Sequence, residues 1–92
     1  MQAIPETTGA IEGAIWTRLI QPRNGSLPKA AAQAFLTFNF PEAEKARMHE
    51  LAQRNGEGRL SPAEKAELDS YIRVANVLAL LHAKARRSLN KR

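Results

Sequence analysis

The chain has 92 residues, no cysteine, and 14 Lys and Arg against nine Asp and Glu, which gives a formal net charge of +5. A chain of this length forms one small domain and leaves little room for a deep enzyme cleft beside a core. The lack of cysteine excludes disulfides, thiolate metal ligands and a cysteine nucleophile. Neither a secretory signal nor an apolar run of the roughly 20 residues that span a bilayer is visible, so we expect a cytoplasmic protein.

Proline and glycine divide the sequence into four predicted helices. The first runs from about Thr8, its predicted N-cap, to Ile20, and it follows residues 1–7, which we expect to be disordered. Pro22 and the Asn24-Gly25 pair, which tolerates positive φ, then predict a turn. The predicted apolar row of this helix comprises Ile11, Ile15 and Leu19, widened by Trp16 and Ile20.

The second and third predicted helices each begin at a proline. The second starts near Leu27-Pro28 and continues to about Phe38, and the third runs from Pro41 to about Arg54. Large and polar residues alternate over 35–40, but no second such run offers a partner strand, so we interpret this segment as a helix end and connector. The apolar contacts predicted for the second helix are Leu27, Ala31, Ala34, Phe35 and Phe38, and those for the third are Ala43, Met48, Leu51 and Ala52.

The fourth predicted helix has the clearest start signal in the chain. Ser61 and Glu64 form a capping box with Pro62 at the first helical position. No helix-breaking residue follows until about Ser88, so the helix covers 62–88, about 27 residues, and leaves a basic tail at 89–92. The predicted fold is therefore a single all-α domain over residues 1–92, a small bundle of three short helices packed on one long C-terminal helix.

The middle of the long helix is apolar around most of its circumference. Between Tyr71 and Leu81 only Arg73 and Asn76 are polar, and a helix of this kind is buried on nearly all sides. Three sources of cover are open: the short helices of the same chain, a second copy in a homodimer, or a different protein. The residues predicted to pack there or to form the interface are Tyr71, Val74, Leu78 and Leu81.

The excess positive charge lies at the C-terminus. Residues 1–81 hold nine basic and nine acidic side chains, so their charges cancel, and residues 82–92 hold no acid. His82 adds a further positive charge if it is protonated. One explanation is favourable interaction with the helix dipole and improved solubility. The other is a contact surface for an anionic partner, either nucleic-acid phosphates or an acidic protein face. The residues of this cluster are Lys84, Arg86, Arg87, Lys91 and Arg92.

Catalytic and metal-binding patterns are not recognisable. His49-Glu50 resembles the start of a zinc-protease helix, but Gln53 stands where the second histidine is required. The loop at 55–58 lacks the alternating oxygen ligands of a calcium site. A DNA-reading helix near the start of the fourth helix is disfavoured, because Glu64, Glu67 and Asp69 would repel phosphates. We therefore expect no enzymatic activity, no cofactor and no metal.

Several segments carry a resemblance to a known group. They are RMHELA at 47–52, GRLSPAE at 58–64, LDSY at 68–71, LALL at 78–81 and KARRSL at 84–89. Together with Ile15-Trp16 and the turn at 25–28, they make residues 11–90 resemble a group of small bacterial all-helical proteins of uncharacterised activity, of the kind encoded beside HNH-nuclease-like genes. The resemblance implies an antitoxin-like or regulatory role towards a nuclease.

Two functions are predicted from these features. The first is a non-enzymatic protein-binding module that presents the apolar strip and the basic end of its long helix to a protein partner or to a second copy of itself. The alternative is a small basic nucleic-acid-binding protein that acts through its C-terminal Lys and Arg cluster, with nucleic acid otherwise a secondary partner. A membrane is not an expected partner.

Overall fold

The computed structural model describes the backbone of residues 5–90 and the side chains of residues 11–90. This part of the chain contains four helices and no strand, so the predicted all-α class is confirmed. The long C-terminal helix contacts each of the other three. Residues 1–4 of the predicted disordered segment, and Lys91 and Arg92 of the predicted basic tail, lie outside the described residues. The helices are α1 (Pro5–Ile20), α2 (Lys29–Leu36), α3 (Glu42–Gly56) and α4 (Pro62–Asn90).

The contacts divide the chain into two compact units. Unit 1 combines Met1–Phe38 with Asn76–Arg92, so it contains α1, α2 and the C-terminal half of α4. Unit 2 is Asn39–Ala75 and contains α3 and the N-terminal half of α4. The long helix therefore contributes residues to both units.

The helix starts follow the local sequence signals with small shifts. The capping box of α4 is present, because the Ser61 amide donates to Glu64 Oε1 at 3.0 Å and the Glu64 amide donates to Ser61 Oγ at 3.1 Å. Pro28 and Pro41 occupy the N-cap positions of α2 and α3, one residue before the helical run. The N-cap predicted at Thr8 is wrong: α1 already begins at Pro5, because a proline at the first helical position is pre-set for the helix.

The apolar row predicted to face the core on α1 is exposed instead. Ile11, Ile15 and Leu19 retain 57%, 50% and 70% of their accessible surface. Of the predicted row, only the two residues that widen it pack, with Trp16 half-buried and Ile20 buried, and they form a second row beside the exposed one. Because these two rows lie roughly a third of a turn apart on the helix, α1 can bury only one of them, and the row with the large indole removes more apolar surface from water.

The buried core is small in both units. Within the side chains that the structure describes, the buried apolar residues of unit 1 are Ile20, Ala32 and Ala85, and those of unit 2 are Leu51 and Leu68. Three predicted contacts are wrong, because Ala34 of α2 and Ala43 and Ala52 of α3 are exposed to solvent. Phe38 is 53% exposed, although its ring lies edge-to-face with Phe35 at 5.6 Å.

Candidate anion-binding site

The two units differ sharply in charge. The sequence of unit 1 contains eight Lys and Arg but only two carboxylates, Glu6 and Glu12, both in α1. The sequence of unit 2 contains six Lys and Arg and seven Asp and Glu. Unit 1 therefore carries a net charge of +6, of which +5 lies in the C-terminal segment, and Arg18, Arg23 and Lys29 add three further cations against the two glutamates.

Unit 2 uses most of its charges in internal ion pairs. Arg47 of α3 donates two hydrogen bonds of 2.8 Å to the carboxylate of Glu67 in α4. This bidentate geometry fixes the guanidinium and the carboxylate relative to each other. Arg54 donates to Glu50 at 2.7 Å and to Glu64 at 2.5 Å. Further pairs join Lys45 to Glu42, Arg47 to Glu50 and Arg59 to Glu57. Cations that already contact carboxylates have little capacity left for an external anion.

The same contacts fix the protonation states in unit 2. Hydrogen bonds from Arg47 lower the pKa of Glu67. The backbone amide of Ser61 is the main cause that lowers the pKa of Glu64. The hydrogen bond that the Tyr71 hydroxyl donates to Glu44, at 2.7 Å, raises the pKa of the Tyr71 phenol. At neutral pH both glutamates are therefore charged, as their ion pairs require. The phenol is neutral, so it can donate its hydrogen bond to Glu44.

In unit 1 the loop between α1 and α2 begins with a sharp change of direction. Gln21 adopts a left-handed conformation with φ of 54°, and its amide still donates to Thr17 O at 2.9 Å. Pro22 disfavours right-handed helical geometry in the residue before it, so the chain leaves α1 at this point. The positive φ that the Asn24-Gly25 pair was expected to tolerate thus falls at Gln21.

Three contacts fix this loop against the last turns of α4. The Lys84 ammonium donates to Ile20 O at 2.7 Å and so satisfies a free carbonyl at the end of α1. Ser88 Oγ accepts a hydrogen bond of 3.1 Å from the Leu27 amide and donates one of 2.9 Å to Lys84 O. Gly25 lies directly against the α4 backbone, since a Cβ atom there would stand only 2.9 Å from Arg87 O.

This docking creates an open groove with a volume of about 610 Å³. Two arginines, Arg23 and Arg87, and two asparagines, Asn24 and Asn90, line it. Gly25 forms part of the lining. Among the described residues, no carboxylate lines the groove and neither arginine forms an ion pair. A concave surface with hydrogen-bond donors and positive charge is suited to an anion.

The predicted basic cluster is only partly in this groove. Arg87 lines it, Arg86 is exposed outside its lining, and Lys84 is engaged with the end of α1. Lys91 and Arg92 lie outside the described residues. Sequence reasoning missed Arg23, because only the close approach of Gly25 to α4 brings that loop residue beside the C-terminal cluster.

The four predicted interface residues have different surroundings. Tyr71 is occupied within unit 2, where its hydroxyl bonds Glu44 and its ring lies edge-to-face with Phe40 at 6.3 Å. Val74, also in unit 2, is 55% exposed. Leu78 and Leu81 are half-buried in unit 1. Part of the apolar circumference of α4 is therefore covered by the chain itself.

Residues 5–90 also lack two other features. No helix there is long and apolar enough to cross a membrane. No group of three or more metal-ligating side chains comes together in the same range. Comparisons with protein-family models, curated proteins and solved structures found no match to this chain. The resemblance to bacterial nuclease-associated proteins therefore stays a prediction.

Proposed function

We propose that this chain is a non-enzymatic nucleic-acid-binding protein that contacts phosphates through the cations of unit 1. The observation that carries this proposal is the separation of charge between the units. Unit 1 concentrates cations, and among the described residues none of them forms an ion pair, whereas unit 2 neutralises most of its own. Such a surface attracts a polyanion and releases its counterions on binding. Arg23 and Arg87 extend the cluster beyond the C-terminal segment.

The proposed binding is tolerant of sequence. Base readout needs side chains presented to base edges, and stacking needs exposed aromatic rings. The groove lining contains no aromatic ring among its described residues, and the proposal assigns its arginines to phosphates and not to base edges. Phosphate contacts position a nucleic acid without reading it, so the affinity is set by charge and falls with salt.

The test is a pair of variants that remove equal charge from the two units. The unit 1 variant carries Arg23→Gln, Arg86→Gln and Arg87→Gln, and the control variant carries Lys45→Gln, Arg59→Gln and Lys65→Gln in unit 2. Binding to a single-stranded 5′-hydroxyl oligonucleotide of about 12 nucleotides is measured by fluorescence anisotropy at low salt. The proposal predicts that the unit 1 variant loses most of its affinity and the control little. Equal losses in the two variants would show that net charge alone is responsible.

A second function, binding to a protein partner, is favoured by the exposed row on α1. Ile11, Ile15 and Leu19 follow one another at i, i+4 and i+8 and are each at least half exposed. Apolar side chains in this spacing are the anchors by which a helix enters a groove of another protein. In this proposal the chain is an antitoxin-like or regulatory partner of a nuclease in the cytoplasm, and its cations meet an acidic face.

The test of this second function is co-purification with the product of a neighbouring nuclease gene. Co-elution that is lost on Ile15→Glu and Leu19→Glu, and retained on exchange of the exposed Ala14 for Glu, supports the α1 row as the interface. Co-elution that survives the double exchange on α1 contradicts it.

A further inference from the structure

We propose that the groove of Arg23, Asn24, Gly25, Arg87 and Asn90 binds a phosphate monoester, with the phosphate held between the two guanidinium groups. This deepens the proposed function, because it assigns to one position in unit 1 a preference for a terminal phosphate over the internal phosphodiester that it contacts in a 5′-hydroxyl strand. The same chemistry occurs in the 5′-phosphate end of a nucleic acid and in a free nucleotide.

The charges of the groove match a monoester better than a diester. A phosphate monoester carries about −1.5 to −2 charges at neutral pH and three terminal oxygens, whereas each internal phosphodiester carries a single charge. Arg23 and Arg87 together bring two positive charges and two planar donor forks. Each guanidinium can donate to two oxygens, so the pair can place a hydrogen bond on all three terminal oxygens of a phosphate.

The polar lining supplies further donors. Asn24 and Asn90 both line the groove, and each has a side-chain amide that can donate two hydrogen bonds. The Asn24 amide nitrogen makes one long contact, of 3.4 Å, to Gln21 Oε1, and its second hydrogen stays available. A groove of about 610 Å³ lies within the range of small-molecule sites, so it has room for the phosphate and the organic group that it esterifies.

The end of α4 opposes an anion only weakly. A helix C-terminus carries about half a negative charge, and Asn90 is the last residue of α4. The two guanidinium groups that line the groove exceed that partial charge about fourfold. No carboxylate among the described lining residues adds to the repulsion.

The groove is also preorganised. The seating of Gly25 on Arg87 and the bond from the Leu27 amide to Ser88 hold the loop in place without a ligand. A ligand therefore does not have to order this loop. The free energy of its contacts with Arg23 and Arg87 is not reduced by a loop-ordering cost.

The experiment compares 3′-labelled single strands with a 5′-phosphate and with a 5′-hydroxyl by fluorescence anisotropy on the full chain. A slightly longer 5′-hydroxyl strand of the same total charge is the control for charge. We expect the 5′-phosphate to improve affinity by about fivefold or more, as several charge-assisted hydrogen bonds do, and the longer strand to improve it much less.

The variants locate the effect. Arg23→Gln and Arg87→Gln should each abolish the preference for the 5′-phosphate. Lys29→Gln removes a unit 1 cation that is not among the groove's described lining residues, so it should weaken both strands equally and keep the preference. Circular dichroism confirms that each variant remains helical.

Adenosine 5′-monophosphate, titrated by calorimetry, distinguishes the two sources. Saturable binding that Arg87→Gln removes supports the inference for free monoesters, even if no oligonucleotide binds and the proposed function fails. Binding of the 5′-hydroxyl strand with no gain from the 5′-phosphate, and no binding of the nucleotide, overturns the inference and leaves the proposed function intact. A preference that persists in both arginine variants also overturns it.

Discussion

The exchange Gly25→Ala tests whether the α1–α2 loop is seated directly on α4. The added Cβ would stand 2.9 Å from Arg87 O, 3.0 Å from Arg87 C and 3.1 Å from Ser88 Cα. All three atoms belong to the backbone of a helix, so they cannot rotate away as the tip of a side chain could. The loop must therefore move outward and carry Arg23 with it.

The expected destabilisation combines three effects. Overpacking costs about 1–3 kcal/mol. Weakening of the hydrogen bond from the Leu27 amide to Ser88 Oγ adds about 0.5–1.5 kcal/mol. The reduced freedom of the unfolded chain offsets about 0.4–1 kcal/mol. The net loss in free energy of unfolding is about 1–3 kcal/mol, which lowers the urea midpoint of a small protein by roughly 1–2 M.

The assay is urea unfolding followed by the fluorescence of Trp16, the single tryptophan of the chain, which lies in α1 of unit 1. Gly13→Ala in the same helix is the matched control, since a Cβ there meets nothing within 4 Å. It should stabilise the protein by about 0.5–1 kcal/mol because alanine favours the helix interior. A Gly25→Ala variant as stable as Gly13→Ala would refute the close approach and the groove built upon it.

Three further predictions concern unit 2. The phenol of Tyr71, the only tyrosine, should titrate by its absorbance above the ordinary 10.0, and Glu44→Ala should return the midpoint towards that value; a wild-type midpoint at or below 10.0 would contradict the hydrogen bond. The lowered pKa of Glu67 means that its contribution to stability is present above its ordinary pKa of 4.5 and is lost as pH falls through the lower folded value, so acid should destabilise the wild type more than Glu67→Gln in thermal melts. Removal of the cap by Ser61→Ala should cost about 1 kcal/mol in chemical unfolding, and no change would exclude the reciprocal cap.

The local signals in the sequence were sufficient for the starts of three of the four described helices. Proline positions and the Ser61 to Glu64 box place the starts of α2, α3 and α4 within one residue or so, because caps and breakers act over a single turn. In the described residues α4 continues to Asn90, two residues past the predicted end at Ser88, a difference of the size expected where a helix end has no strong stop signal.

The buried faces were less predictable. Both rows of α1 are apolar, and periodicity alone does not say which row packs when the rest of unit 1 accepts only one. The alanine-rich α2 presents the same difficulty: Ala32 is fully buried, whereas the neighbouring Ala34 is exposed. In each case the buried face is determined by packing against other helices. That packing depends on residues far away in the sequence.

The groove was invisible in the sequence for the same reason. Arg23 and Arg87 are separated by more than half of the chain, and the loop sequence around Arg23 gives no sign that it approaches α4. The missing signal is the contact of Gly25 with Arg87 and Ser88, which is a tertiary contact. The clustering of cations at the C-terminus was visible, but the participation of the α1–α2 loop was not.

The most direct test of the account is the salt dependence of binding to a 5′-hydroxyl single strand. With three to five phosphate contacts, the logarithm of the affinity should fall against the logarithm of salt with a slope between about −2 and −3.5. Exchange of both Arg23 and Arg87 for glutamine should make that slope shallower by about 1.4, as the loss of two contacts requires. A flat salt dependence, or a slope that these exchanges leave unchanged, would contradict phosphate binding by unit 1.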